Sequence, residues 1–251
     1  MYQTDLKETE WQFIKKELQI KDRKRKYDLQ EMWNAMFYIV KTGCQWRMLP
    51  YNFPKWQLVY YYYRKWCDQT DFDLLLSKLR EHVRVKLGQN KHPSLGIVDS
   101  QSVRWGNNRS LNGIDGNKKI KGIKRHTVVD KNGFLIAVMV TIANINDGKA
   151  AWLLMRVLKE LCSSVKTILA DGGYRGEIIE KVKNTFGYVI EVVISNFKEQ
   201  GFRPIKKRWI VERTFSWFEN NRRLCRNYEL TFDSAEEMVK IAAIRLLLNK
   251  I

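Results

Sequence analysis

Histidine and cysteine are scarce in this chain, with three and four residues among 251. So few imidazoles exclude a histidine-rich metal centre. Cys44, Cys67, Cys162 and Cys225 are widely separated and form no Cys-x-x-Cys pair, which points to reduced, buried thiols and against a disulfide framework or a zinc site. No apolar run approaches the roughly 18–20 residues of a spanning helix. Met1 is followed by polar and charged residues, so neither an export signal nor a membrane location is expected. Repeats and low-complexity tracts are also missing. The remaining shortage is of acid: 27 Asp and Glu stand against 45 Lys and Arg, a net charge of +18. Such a surplus favours a polyanionic partner, nucleic acid first.

Hydrophobic residues make up 45% of the chain, enough for one large domain or two modest ones. The first third reads as helical. Trp11, Ile14 and Leu18 recur at helical spacing, and the basic stretch Lys21–Lys26 follows. Leu29, Met32, Trp33, Met36, Phe37 and Val40 form a second stripe that stops at Thr42-Gly43. Pro50 and Pro54 bracket a turn before an aromatic run from Trp56 to Trp66, and Phe72 to Val85 is again amphipathic. This pattern predicts a helical, helix-turn-helix-like DNA-binding unit over residues 1–92.

Beyond His92-Pro93-Ser94 the period changes. Strands are expected over Leu95–Asp99, Arg125–Val129, Phe134–Ile142, Val165–Ala170 and Tyr188–Ile194, with a hairpin turn at Asp130-Lys131-Asn132-Gly133. Helices are expected over Asp147–Cys162, Glu177–Asn184, Arg208–Cys225 and Ser234–Asn249. That order predicts an α/β fold with a ribonuclease-H-like mixed sheet over residues 93–251. Ligands of such sheets gather beyond the carboxyl ends of parallel strands. Asp99 and Asp171 are expected at the ends of two neighbouring strands, and Glu212 on the helix that packs beside them. Rigidly held carboxylates suit a hard divalent cation, so the three point to a metal-dependent enzyme acting on a polyanion.

The strings Gly43–Pro50, Asp99–Val103, Lys121–His126, Ala170–Gly176 and Arg208–Phe215 closely resemble bacterial insertion-sequence transposases of the DDE type, within the insertion-sequence family conventionally numbered five. The resemblance runs from near the N-terminus to the final helix. It implies a catalytic, metal-binding triad of Asp99, Asp171 and Glu212 that holds two Mg²⁺ ions, with Mn²⁺ as the alternative. The activity implied is cleavage at element ends followed by joining of the 3′-hydroxyl to target DNA. Related transposases carry a Tyr-x2-Arg-x3-Glu-x6-Lys signature. Arg208 and Glu212 fit it, whereas Ile205 and Glu219 depart from it. Glu219 is the rival third acid, about 10 Å further along the same helical face at roughly 1.5 Å per residue.

Lys121, Lys124, Arg125, His126, Tyr174, Arg175, Arg208 and Arg213 are the candidate DNA contacts, drawn from these strings and from two basic runs that flank the acids. His126 is also a candidate neighbour of the metals, and Trp105, Trp209 and Trp217 are candidates for stacking on an unpaired base. The partners implied are double-stranded DNA, as terminal inverted repeats and target, and a second copy of the chain in a homodimer or larger assembly. The expected location is the bacterial cytoplasm, on the nucleoid. Two other readings stay open: a structure-selective nuclease of the same fold, and a catalytically silent, transposase-derived DNA-binding protein.

Overall fold

The computed structural model describes residues 2–21, 23–107, 109–193 and 209–251. Four helices come first: α1 (Glu8–Glu17), α2 (Leu29–Thr42), α3 (Trp56–Asp68) and α4 (Asp71–Lys86). Strand β1 (Leu95–Arg104), the short β2 (Gly113–Ile114), β3 (Lys121–Val129) and β4 (Leu135–Ile142) follow. Then come α5 (Asp147–Leu161), β5 (Thr167–Ala170), α6 (Glu177–Phe186), β6 (Val189–Val192), α7 (Trp209–Glu219), α8 (Arg222–Cys225) and α9 (Phe232–Leu248).

Local chemistry sets the boundaries. Asp28 caps α2 by accepting from Gln30 N, and Gly43 ends it in the left-handed conformation at φ 71°. A Cβ there would also stand 3.1–3.2 Å from Arg222 and Arg223, tighter than an ordinary contact. The Asp130–Gly133 turn forms as expected: Asp130 accepts from Asn132 N and Phe134 N, and Gly133 takes φ 84°. All four cysteines are unpaired.

The sheet order is β2-β3-β1-β5-β6, with β4 also on β3. The pairs β1–β3 and β3–β4 are antiparallel, while β1–β5 and β5–β6 are parallel. This is the ribonuclease-H-like mixed sheet that the element order predicts. Helices α5 and α6 cover one face through Leu154, Met155, Leu158 and Val182. On the other face, Ile210 and Val211 of α7 meet Ile97, Val129 and Leu169. The apolar sides of α1–α4 close with α9, Phe134, Leu135 and Val138 into one large core. Residues before and after position 92 therefore share a single hydrophobic interior.

One strand differs from its expected length. β1 does not stop at Asp99 but runs to Arg104, because β3 pairs with it antiparallel from Ile97 to Arg104. Only its parallel partner ends early, the last β1–β5 pair being Ile97 with Leu169. Asp99 thus sits where one neighbour has left and the other continues.

The outer edge of β4 is met by α9. Glu236 accepts from the Val140 amide at 2.7 Å. Burial, reinforced by Asp233 and Glu237, pushes the Glu236 carboxyl up to about 7 against the pull of the Val140 amide and Lys240. A raised folded-state value means that this group's stabilisation is complete below its unfolded value near 4.5 and is lost as pH rises through 7. The loss is on the order of 3 kcal/mol across that window. Glu236→Gln keeps an acceptor for Val140 and removes the ionisation. Urea titrations at pH 5 and pH 7.5 are expected to show a smaller pH difference in the variant, and equal differences would refute the assignment.

Candidate active site

The β1–β5 register brings two of the predicted acids to the same end of neighbouring strands. Ile97 faces Leu169 in the last parallel pair, and two residues on in each chain come Asp99 and Asp171. Neighbouring strands lie about 4.8 Å apart, and residues two apart share a face. Asp99 therefore leaves β1 on the side where Ile97 and Leu169 meet α7, while Asp171 lies one residue beyond the end of β5, in the loop that carries Gly173. Each is held by its own backbone: Ser100 N donates to Asp99 Oδ1 at 2.7 Å, and Gly173 N donates to Asp171 Oδ1 at 2.9 Å.

Glu212 lies in the first turn of α7, directly after Val211, which packs on Ile97 and Leu169. It is exposed. Two turns later on the same helical side, Glu219 accepts from Gln101 Nε2 at 2.8 Å, and Gln101 shares the Asp99 face of β1. The rival acid is thus tied to the sheet rather than simply solvated. Among the described residues, no group of three His, Cys, Asp or Glu side chains is gathered closely enough to hold a metal ion. The donor chemistry nevertheless fits: Mg²⁺ takes oxygen ligands and retains several waters, so it needs few protein carboxylates.

The predicted DNA contacts divide by burial. Lys121 and Arg175 are exposed. Lys121 Nζ lies 4.5 Å above the Trp105 ring, and Arg175 folds back over Gly172. Arg213 is half-buried between the rings of Trp209 and Trp217, at 4.6 and 4.7 Å, and donates to Asn132 O at 2.8 Å. Arg208 lies outside the described residues.

Lys124, Arg125, His126 and Tyr174 are interior and present no surface to a passing strand. The reason is topological: β3 is flanked by β1 and β2/β4, with α5 against one face and α8 against the other. Arg125 donates to Leu224 O at 2.9 Å. Lys124 Nζ donates to Ile145 O at 3.0 Å and lies 3.6 Å from Asp115 and 3.4 Å from Asp147. His126 bonds through Nε2 to Thr141 Oγ1, and burial lowers its pKa to about 4 despite the nearby Asp147, which keeps the ring neutral. The Asp115 carboxyl experiences the opposite balance. Burial pushes it up, but hydrogen bonds from Ser102 and the Lys118 and Asn117 amides, together with Lys124, bring it to about 2.

Tyr174 is raised well above 10 by burial and then by Asp147, Asp99 and Asp171. Its hydroxyl therefore stays protonated. Asp147 belongs to this neighbourhood although its sequence context, Asn146-Asp147-Gly148, signals only a helix start. Gln101 likewise carried no local signal.

A family model described as "Transposase DDE domain" matches residues 90–248. The chain belongs to the DDE transposase family. A second model, "Putative transposase of IS4/5 family", matches residues 6–76. A Burkholderia cepacia protein named "Putative transposase for insertion sequence element IS402" is 30% identical over 162 residues, which cover 61% of this chain and 74% of that relative. In this DDE transposase the paired aspartates lie at the divergence of β1 and β5, within the matched domain. Among its described residues no helix is long and apolar enough to cross a membrane.

Proposed function

We propose that this transposase cuts the ends of an insertion sequence and joins the freed 3′-hydroxyl to target DNA. The observation that carries the reading is that Asp99 and Asp171 follow the last pair of the neighbouring parallel strands β1 and β5 in a chain of net charge +18. Asp99, Asp171 and Glu212 would hold two Mg²⁺ ions, or Mn²⁺ in their place. When bound, such ions supply Lewis-acid activation of the attacking oxygen and charge stabilisation at the leaving oxygen. The chain's own contribution is to fix the carboxylates. The Ser100 and Gly173 amides orient Asp99 and Asp171, and the Ile210–Val211 contact seats the turn bearing Glu212. Water attacks first at the element end, and the released 3′-hydroxyl then attacks the target in the same pocket.

Exposed cations supply the grip on phosphate. Arg104, Arg109, Lys118, Lys119 and Lys121 lie along the segment that includes β2, and Arg175 follows Asp171. Residues 1–92 serve terminal-repeat recognition, supported by the exposed run of Arg23, Lys24, Arg25 and Lys26 between α1 and α2, and residues 93–251 form the catalytic domain. Two element ends require two active sites, so the working form is a homodimer or larger assembly on DNA, in the cytoplasm and on the nucleoid.

The third acid is the discriminating test. With a labelled terminal-repeat duplex and Mg²⁺, Glu212→Gln is expected to lose cleavage and joining by about a hundredfold or more. Glu219→Gln is expected to stay within about threefold, because its partner is Gln101. The opposite ranking would move the third ligand to Glu219. Cleavage by the unaltered protein without any joined product would make it a nuclease instead.

A further inference from the structure

Asp147 stands at the start of α5, where Asn146 caps the helix by accepting from Gly148 N at 2.8 Å. Its two oxygens have different surroundings. Oδ1 is buried, 3.4 Å from Lys124 Nζ and 3.6 Å from His126 Nδ1, with no hydrogen bond. Oδ2 turns toward the loop after β5. A Cβ placed on Gly173 would lie 3.7 Å from Asp147 Oδ2 and 3.0 Å from Asp171 Oδ1, so the two carboxylates border one glycine. Tyr174, next in sequence to Gly173, packs in the core under α5 and α6. It is 1% exposed, its hydroxyl has no hydrogen-bond partner among the described residues, and Asp147, Asp99 and Asp171 all raise its pKa.

A buried hydroxyl without a partner costs about 1–3 kcal/mol and calls for a bound water or ion to satisfy it. Asp147 is also prevented from swinging away. Lys124 is itself pinned by Ile145 O at 3.0 Å and Asp115 at 3.6 Å, and the His126 ring is fixed by Thr141 at 3.0 Å. One carboxylate oxygen is thus drawn toward the Lys124 ammonium while the other faces the loop that carries Asp171. Neutralising Lys124 does not explain it, since Asp115 already stands beside that ammonium.

We propose that Asp147 is a fourth acidic member of the divalent-ion pocket, its outer oxygen holding the water shell of an ion bound by Asp99 and Asp171, with the Tyr174 hydroxyl bonded to that shell. Contact through water rather than directly follows from the spacing: no three acidic side chains among the described residues close on one point. It also suits an ion that sheds its waters reluctantly. The inference rests on the metal reading of Asp99 and Asp171, and the experiment separates the two.

Mn²⁺ binding to the full chain without DNA is followed by the paramagnetic resonance signal of the free ion. The comparison takes the unaltered protein, Asp147→Asn, Asp171→Asn and Asp115→Asn. Asp147→Asn is expected to weaken Mn²⁺ binding roughly tenfold or more, and Asp171→Asn to remove it. Asp115→Asn, which takes the same charge from the far side of Lys124, is expected to change it less than about twofold. Melting temperatures in chelator report any purely structural loss. The additional rise on adding Mn²⁺ is expected to shrink in Asp147→Asn alone of the two Lys124 partners.

Mn²⁺ affinity unchanged in Asp147→Asn but lost in Asp171→Asn overturns this inference and leaves the metal reading intact. Unchanged affinity in both overturns the metal reading and this inference with it. An equal loss in Asp115→Asn and Asp147→Asn also overturns the inference, since net charge alone would explain it. If Asp147→Asn does not fold, Lys124→Met/Asp147→Asn removes both buried charges and is judged by the same Mn²⁺ result.

Discussion

Asp99→Asn and Asp171→Asn are each expected to reduce strand cleavage by on the order of a thousandfold or more while leaving binding to a terminal-repeat duplex within about twofold. The magnitude follows from the several kcal/mol of charge stabilisation that a bound ion supplies, at about 1.4 kcal/mol per tenfold in rate. Asparagine keeps the side-chain oxygen that accepts from Ser100 N at position 99 and from Gly173 N at position 171, so the backbone at both positions retains its conformation. What it removes is the negative charge that a hard cation requires. Cleavage is read on an end-labelled duplex in Mg²⁺, and binding by gel retardation of the same duplex in chelator. Full cleavage activity in either variant would remove that aspartate from the chemistry. Loss of binding together with cleavage would mean that the substitution had disturbed the fold or the phosphate track.

The second large effect concerns stability. Arg84 on α4 and Asp130 in the β3–β4 turn form an ion pair whose side chains are 5% and 0% exposed. Asp130 also accepts from Asn132 N at 2.8 Å and Phe134 N at 3.0 Å, and Arg84 Nε donates to Asn90 O at 2.9 Å. Asp130→Ala leaves a guanidinium buried without its counter-charge and two turn amides without their acceptor. The expected cost is about 3–5 kcal/mol, read by urea or guanidinium titration. Arg84→Met/Asp130→Ala, which removes both charges, is expected to recover part of that loss. The turn amides remain unsatisfied in the double variant, so recovery stays incomplete. A cost below about 1 kcal/mol for Asp130→Ala would show that the pair is solvated. Because Arg84 belongs to the N-terminal helices and Asp130 to the sheet, the same pair joins these two parts of the molecule.

Several features of fold and site can be read along the chain because they depend on short-range physics. The stripe from Leu29 to Val40 with Gly43 behind it can bury its apolar side only as a helix with a left-handed end. The Asp130–Gly133 turn follows from a side chain that accepts its own downstream amides and a glycine at positive φ. The apolar runs before Asp99 and Asp171 are strands for equally local reasons.

Other features are invisible to such a reading. The basic string Lys124-Arg125-His126 resembles a surface track, yet it occupies a buried strand, where Lys124 donates to the Ile145 carbonyl and Arg125 to that of Leu224. A run of charge carries no label for burial until its neighbours are known. Glu219, the rival third acid, is exposed yet bonded to Gln101 across 118 positions of chain, a partner no local pattern indicates.

The sequence by itself determined the chemical inventory of this transposase: a cationic chain, three dispersed acids, and alternating strands and helices of ribonuclease-H-like order. Helical and extended periodicity, turn chemistry and net charge are properties of neighbouring residues, and they survive without a fold. Only the tertiary structure decided that Asp99 and Asp171 come to the same end of neighbouring strands, that half the candidate DNA contacts are interior, and that Asp147 borders the same glycine as Asp171. Those are outcomes of strand register and of helix packing on a sheet, which bring together residues that no local pattern relates.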